Sequence, residues 1–146
     1  MACYSRWTQV LATCDQDLRL TLETVPATLS VGDGIDVTFG LTNTGSTTLR
    51  ACWGPTFEVV FSNGQVAQGW AEVVAHPRCE QRLVLEPGAH DSRLYRARVP
   101  HIPSGDFNLF GSVQIVDPSS CRKKYGCDRT MVRGLEPAGA LVTIIK

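Results

Sequence analysis

The sequence predicts an all-β fold: a β-sandwich stapled by disulfides. Three observations predict it. Apolar residues recur at every second position over most of the chain. Gly, Pro and Asn turns separate these runs at short intervals. Six cysteines are spread through only 146 residues. Alternation with period two is the mark of a strand with one buried face. Many short strands divided by turns build a sandwich or a barrel.

Taken in order, Leu18, Leu20 and Leu22 alternate with Arg19 and Thr21. After the turn-like Val31-Gly32-Asp33-Gly34, a second strand alternates Ile35, Val37, Phe39 and Leu41 with Asp36, Thr38, Gly40 and Thr42. Asn43-Thr44-Gly45-Ser46 is turn chemistry. Thr47 to Trp53 reads as a strand that Gly54-Pro55 ends. Thr56 to Phe61 and Gln65 to Trp70 flank Ser62-Asn63-Gly64, and Asn-Gly between two such runs is the strongest short hairpin signal. Ala75 to Arg78 reads as a loop. Gln81 to Leu85 is a strand stopped by Glu86-Pro87-Gly88, and Ser92 to Val99 is the next. Pro100 to Gly105 makes a stiff corner. A long strand alternates Phe107, Leu109, Gly111, Val113 and Ile115, and Ala140 to Ile145 closes the domain. Only Ser5 to Ala12 hints at a helical period. Residues 1–17 are therefore read as an N-terminal arm. Residues 18–146 are read as a single sandwich domain with a cysteine-bracketed loop at 117–130.

Composition excludes several classes. Apolar residues make up 43% and charged residues 19% of the chain, which is too apolar and too sparsely charged for a disordered protein. Fourteen basic residues balance fourteen acidic ones, against the basic excess expected of a nucleic-acid binder. No apolar run reaches the roughly 18 residues of a membrane-spanning helix. The first residues lack the apolar stretch of a signal peptide. The chain then belongs either to the cytosol or to an extracytoplasmic compartment after loss of a signal, and the cysteines favour the second.

Those cysteines are Cys3, Cys14, Cys52, Cys79, Cys121 and Cys127. An even number in a small domain points to three disulfides and an oxidising compartment. Six cysteines allow fifteen pairings. The expected set is Cys121 with Cys127 around a small loop, Cys3 with Cys14 tying down the arm, and Cys52 with Cys79 joining two strand ends. Zinc is the rival reading, but neither a C-x-x-C pair nor a close histidine pair is present. Asn43, Asn63 and Asn108 all lack the serine or threonine of a glycosylation sequon.

Three segments carry a resemblance. They are Ile35-Asp-Val-Thr-Phe-Gly-Leu-Thr-Asn-Thr-Gly45, Leu83-Val-Leu-Glu-Pro-Gly88, and Pro103-Ser-Gly-Asp-Phe107 leading into Leu109-Phe-Gly-Ser-Val113. In this order, residues 18 to 116 resemble the BsuPI-type proteinase inhibitor family, which is an immunoglobulin-like sandwich. The Asn-Thr-Gly turn is expected to supply a left-handed position, and Pro-Gly to stop a strand sharply. The glycine before Phe107 is expected to let the chain cross between sheets. The resemblance implies an immunoglobulin-like β-sandwich and, at one remove, inhibition. The six cysteines, the 117–130 segment and the arm depart from the family pattern, and fold does not fix function.

Candidate site residues follow. Cys121-Arg122-Lys123-Lys124-Tyr125-Gly126-Cys127 places three consecutive cations on a loop that a disulfide would hold rigid. Such a loop loses little entropy on binding and could enter the specificity pocket of a trypsin-like protease, or meet an acidic surface. A solvated tip is the bland alternative. Trp53 and Trp70 are either interface anchors or core, with core the favoured reading for residues flanking strands. His76, His90 and His101 all fall beside turns and read as isolated surface histidines. No nucleophile elbow, H-E-x-x-H or P-loop is present, so neither an enzyme nor a cofactor is expected. Arg93, Arg96 and Arg98 read as a charged strand edge that guards against aggregation.

The leading expectation is a non-catalytic, extracytoplasmic protein-binding domain. One alternative is a protease inhibitor presenting the basic loop. Another is a structural envelope domain with a lipid anchor upstream or at Cys3, where Ala2 suits the position before a lipidated cysteine.

Overall fold

The computed structural model describes residues 2–5, 10–13, 16–24, 26–69, 79–122, 126–127 and 138–145. Thirteen strands are present among them: β1 Ala2–Ser5, β2 Val10–Thr13, β3 Leu18–Thr24, β4 Thr28–Ser30, β5 Gly34–Asn43, β6 Leu49–Phe61, β7 Val66–Gly69, β8 Gln81–Leu85, β9 His90–Arg98, β10 Gly105–Val116, β11 Cys121–Arg122, β12 Gly126–Cys127 and β13 Ala138–Ile145. A short 3₁₀ turn, Pro118–Ser120, joins β10 to β11. β1 and β2 form a separate hairpin, so the helical hint over Ser5 to Ala12 is not realised at its described residues.

Two antiparallel layers make the sandwich. One is β3-β5-β9. The other centres on β6-β10-β13, and β4 adds to β13 in parallel. The segment β3–β4 therefore begins in one sheet and finishes in the other. Three strands, β3-β5-β9, facing three others, β6-β10-β13, in this order make the arrangement of an immunoglobulin-like domain. One strand is displaced from that scheme: β8, which precedes β9, pairs with β6 instead. β7 pairs with β6 and also reaches the last two residues of β9, so it bridges the layers.

The alternation read from sequence decides which side chains enter the core. Ile35, Val37, Phe39 and Leu41 of β5 are fully buried, facing Trp53, Val59, Phe61, Leu109 and Ile115 of the other layer. Gly111 is required here by close approach. A Cβ on it would lie 2.6 Å from the ring of Phe39, so the glycine lets that ring press onto β10. Phe61 and Phe107 meet edge to face with centroids 6.3 Å apart, so Phe107 packs at the corner that Gly105, at φ +146°, allows.

β6 corrects the sequence reading. Gly54-Pro55 does not end a strand: β6 runs 13 residues through it. Between the pairs Phe57–Val113 and Trp53–Ile115, β6 advances four residues while β10 advances two. The surplus forms a bulge, where a proline without an N–H costs no ladder bond. At the bulge a Cβ on Gly54 would lie 2.8 Å from the Gln114 carbonyl oxygen, so only glycine fits without a shift.

The turns refine the expectations further. Ser62-Asn63-Gly64 is a three-residue connection with Gly64 at φ +89° and its N–H donating to the Phe61 carbonyl, the bulged form of hairpin loop. Ala89 donates to Glu86 across Pro87-Gly88, with Gly88 at φ +81°, as a type II turn requires. Gly45, in contrast, is not among the left-handed glycines. The Asn43 side chain organises that turn instead. It is fully buried, its amide donates to the carbonyls of Thr47 and Leu85 at 2.8 and 2.9 Å, and its Oδ1 accepts from Gly45 N–H.

Candidate functional site

The cysteine-bracketed segment leaves the sandwich where β10 ends. Asp117 caps the 3₁₀ turn, its Oδ1 accepting from the N–H of Ser119 at 2.9 Å and from the Ser119 hydroxyl at 2.7 Å. Pro118 supplies the fixed φ of the first helical position. The Cys121 N–H donates back to the Pro118 carbonyl, which turns the chain into β11. β11 and β12 then pair antiparallel, with Cys121 opposite Cys127 and Arg122 opposite Gly126. Cys121 is disulfide-bonded and stands where the expected pairing with Cys127 would place it. The Cys127 side chain, the Arg122 side chain and residues Lys123, Lys124 and Tyr125 lie outside the described residues.

The base of this hairpin is fixed to the outer face of the β6-β10-β13 layer. Cys52 and Val116 are wholly buried there, and Cys79 and Cys121 pack against them. Cys52 and Cys79 form a disulfide with Cα atoms 5.2 Å apart. The expected pairing of Cys52 with Cys79 is thus observed. It closes a 27-residue separation that holds β7 and the approach to β8. Two disulfide-bonded segments therefore share one small apolar cluster beneath the basic hairpin. Cys3 stands opposite Ala12 in the β1–β2 hairpin, but its side chain and Cys14 lie outside the described residues, so both the third pairing and a lipid anchor there stay expectations.

Trp53 is corrected as a binding residue. It is 0% exposed, so no partner reaches it. Its indole Nε1 donates to Asp91 Oδ2 at 2.7 Å. Trp70 lies outside the described residues. Two further bonds stand in line with this one on β9, at alternate residues. Arg93 pairs with Glu80, and the Tyr95 hydroxyl donates to the Gly54 carbonyl at 3.1 Å. The Arg93 guanidinium also lies 5.3 Å from the centre of the Tyr95 ring. Burial pushes the Tyr95 hydroxyl up to about 12, with the Arg93 cation working against the shift and Glu80 adding to it. Arg93 Nη1 and Gln114 Oε1 are buried without a hydrogen-bond partner. Asp91, Arg93 and Tyr95 share the inward face because a strand returns to the same face every two residues. Sequence reading missed this row, though the odd-numbered run of polar residues was its signal.

The arginines of β9 divide between two faces. Arg93 turns inward, whereas Arg96 faces solvent and pairs with Asp36 across the ladder at 3.1 Å. β9 is hydrogen-bonded to β5 along its whole length and to β7 at Ala97 and Arg98.

His90 is also not an isolated turn residue. It opens β9 and lies on the outer face with Thr42, Ser92 and Glu23. Its Nδ1 and the Thr42 hydroxyl are 2.9 Å apart, its Nε2 and the Ser92 hydroxyl 3.2 Å. Ser92 donates to Glu23 Oε2 at 2.6 Å, and Glu23 also pairs with Nε2. The carboxylate thus holds the serine hydroxyl and the same ring nitrogen that a base would use. In a catalytic triad it must hold the opposite nitrogen. The arrangement knits β3, β5 and β9 together over Gly40 on an open sheet face. His101 is exposed beside Pro100, and His76 lies outside the described residues. Among the described residues no group of three or more His, Cys, Asp or Glu is placed to hold a metal. No helix among them is long and apolar enough to cross a membrane.

No family model matches this chain. No curated protein matches it either. Solved structures do. The CARDB domain of the PF1109 protein from Pyrococcus furiosus, in complex with di-metal ions, is 13% identical with a TM-score of 0.45, over 97% of this chain and 98% of that one. AvmM, which catalyses macrocyclization in alchivemycin A biosynthesis, is 12% identical with a TM-score of 0.48, over 98% and 95%. The native conformation of E. coli alpha-2-macroglobulin is 11% identical with a TM-score of 0.48, over 93% of this chain and 7% of that one. Likenesses this distant carry no argument about activity. None of these comparisons singles out the BsuPI-type family, so that resemblance is kept at the level of the fold. By its own strand order and disulfide, the chain is a disulfide-stapled, immunoglobulin-like β-sandwich.

Proposed function

We propose that this chain is a non-catalytic protein-binding domain of an oxidising, extracytoplasmic compartment, and that it meets its partner through the basic hairpin between Cys121 and Cys127. One observation carries the reading. The root of the hairpin is locked by the 3₁₀ turn, by the disulfide at Cys121 and by packing on the Cys52–Cys79 disulfide. A locked root cuts the ordering cost that a free loop would incur on binding. The run Arg122-Lys123-Lys124 supplies the charge that would attract an acidic surface. The disulfide-bonded cysteines support an oxidising compartment.

The test places a photo-crosslinking side chain at position 126 and exposes the oxidised protein to an extracytoplasmic extract. One protein should be captured, and capture should be lost in Lys123→Glu/Lys124→Glu and after mild reduction. Capture that survives both changes refutes the hairpin as the contact.

A second reading, protease inhibition, rests on the same three cations, because a trypsin-like specificity pocket takes a basic side chain. Incubation with trypsin separates the two. Falling protease activity with an intact or slowly nicked chain supports inhibition. Rapid cutting after Arg122, Lys123 or Lys124 with full protease activity removes it.

A further inference from the structure

The tip of the β6–β7 hairpin carries the pair Asn63-Gly64, and Asn63 is exposed there. An asparagine followed by glycine is open to attack on its side-chain amide by the glycine's own backbone nitrogen, because glycine has no Cβ to shield that nitrogen and rotates freely into position. The two other asparagines lack this opening. Asn43 is fully buried and is followed by Thr44, and Asn108 lies within β10 and is followed by Leu109.

The closed turn holds the reacting groups in other bonds. Gly64 N–H donates to the Phe61 carbonyl at 2.8 Å, so the nitrogen that would attack is engaged and keeps its proton. Asn63 Oδ1 accepts from the Gln65 N–H at 3.1 Å, which fixes the carboxamide over the turn. Phe61 N–H donates to the Gln65 carbonyl at 2.9 Å and closes the loop at its base. β10 adds a second lock. Ser62 N–H donates to the Asn108 carbonyl at 2.8 Å, and Asn108 N–H donates to the Ser62 hydroxyl at 3.2 Å. Gly64 sits at φ +89°, and rotating the Asn63–Gly64 peptide unit to present its nitrogen to Cγ breaks the bond to Phe61.

We propose that Asn63 is a self-modification site gated by this hairpin: the closed turn preserves the amide, and opening of the turn exposes it to deamidation. In the reaction the Gly64 nitrogen gives its proton to solvent base and bonds to Asn63 Cγ. The bond from Cγ to Nδ2 breaks, and that nitrogen takes a proton from solvent and leaves as ammonia. The product is a five-membered imide. Water adds to either of its carbonyls and opens it, to aspartate or to isoaspartate at position 63. No oxidant or reductant takes part. Either product adds a carboxylate to a chain that is formally neutral. Isoaspartate also inserts a methylene into the main chain, in a loop that the bonds to Phe61 and Asn108 hold to a fixed length. The modification therefore records how often the β6–β7 hairpin opens, and it does not depend on the basic hairpin at 121–127.

The test incubates the full oxidised chain, and separately a synthetic peptide of residues 59–68, in one mildly alkaline buffer at one temperature. Mass spectrometry of a digest follows amide-to-acid conversion at position 63, and isoelectric focusing of the intact chain follows the added charge. The folded chain should react at least about tenfold more slowly than the peptide, because only the open hairpin reacts. Ser62→Ala, at an exposed position, removes one bond to β10 and should speed the folded chain about two- to fivefold, while the matching peptide reacts as before. Amide spectra that match the parent's will check that this variant folds. Equal rates in the parent chain and its peptide overturn the gate, whatever the variant does. A folded Ser62→Ala chain that reacts at the parent's rate overturns the hairpin as the gate. A peptide that stays intact, or conversion at Asn43 or Asn108 ahead of Asn63, overturns the site itself.

Discussion

Tyr95 offers a prediction whose size can be worked out. Its ring is 7% exposed, packed edge-on to Phe39 at 5.5 Å and tilted against Phe57 at 4.2 Å. Its hydroxyl donates to the Gly54 carbonyl in the β6 bulge. Burial raises its pKa from 10.0 to about 12. The folded state thus holds the proton more tightly than the unfolded chain. The stability this contributes is fully present below pH 10 and is lost as pH rises through 12. At pH 11 the unfolded tyrosine is about nine-tenths ionised and the folded one about one-tenth, a factor of about ten, or about 1.4 kcal/mol. Tyr95→Phe cannot titrate. At pH 8 that variant should be less stable than the parent by about 1–3 kcal/mol, because a buried carbonyl loses its donor. At pH 11 the gap should narrow by about 1.4 kcal/mol. Urea unfolding followed by Trp fluorescence at the two pH values measures both numbers. Absorbance at 295 nm should show one of the three tyrosines failing to ionise near pH 10 in the folded protein and absent from the Tyr95→Phe titration. A gap that stays constant with pH would refute the reasoning, since Tyr95 would then titrate alike folded and unfolded.

Three other outcomes are expected. Gly54→Ala drives a Cβ against the Gln114 backbone and should cost about 1–3 kcal/mol, read as a lower urea midpoint with unchanged slope. Asn43→Ala leaves the Thr47 and Leu85 carbonyls without their amide donor and should cost about 2–4 kcal/mol in the same assay; a loss under about 0.5 kcal/mol would mean that water replaces it. Removing the disulfide in Cys52→Ala/Cys79→Ala frees a 27-residue separation and should cost about 3–4 kcal/mol, and a thermal scan with no shift would show that the loop is ordered without it.

Strand positions were legible because the two-residue period acts locally. Ile35 to Leu41 and Leu109 to Ile115 declare their buried faces residue by residue, and the core follows. The Cys52–Cys79 pairing was legible by elimination among few short-range choices. The continuity of β6 was not, because a Gly-Pro pair carries the same sequence signal whether it ends a strand or occupies a bulge. The difference lies in β10, which stands 60 residues away in the chain and advances two residues where β6 advances four. The Asn43 turn misled for a related reason. Asparagine suits both a left-handed position and a side-chain staple, and only the arrival of Leu85 selects the staple. His90 looked isolated because its partners Glu23 and Thr42 come from strands that pair beside it only in the folded chain.

The polar row on β9 has an architectural reason that also bears on function. Among the described residues, β9 pairs with β5 along its whole length and with β7 at Ala97 and Arg98. β8 takes the place in the sequence of the strand that would lie beside β9 in the usual scheme, but pairs with β6 instead. Asp91, Arg93 and Tyr95 of β9 reach Trp53, Glu80 and Gly54, so side chains join the layers along this strand. Glu80 is brought there by its own N–H donating to the Trp53 carbonyl, one residue after the disulfide at Cys79. The disulfide, the displaced strand and the polar row are therefore one device for closing the flank of the sandwich. A cluster of Asp, Arg, Glu and Tyr that would otherwise invite a catalytic reading is accounted for by that closure.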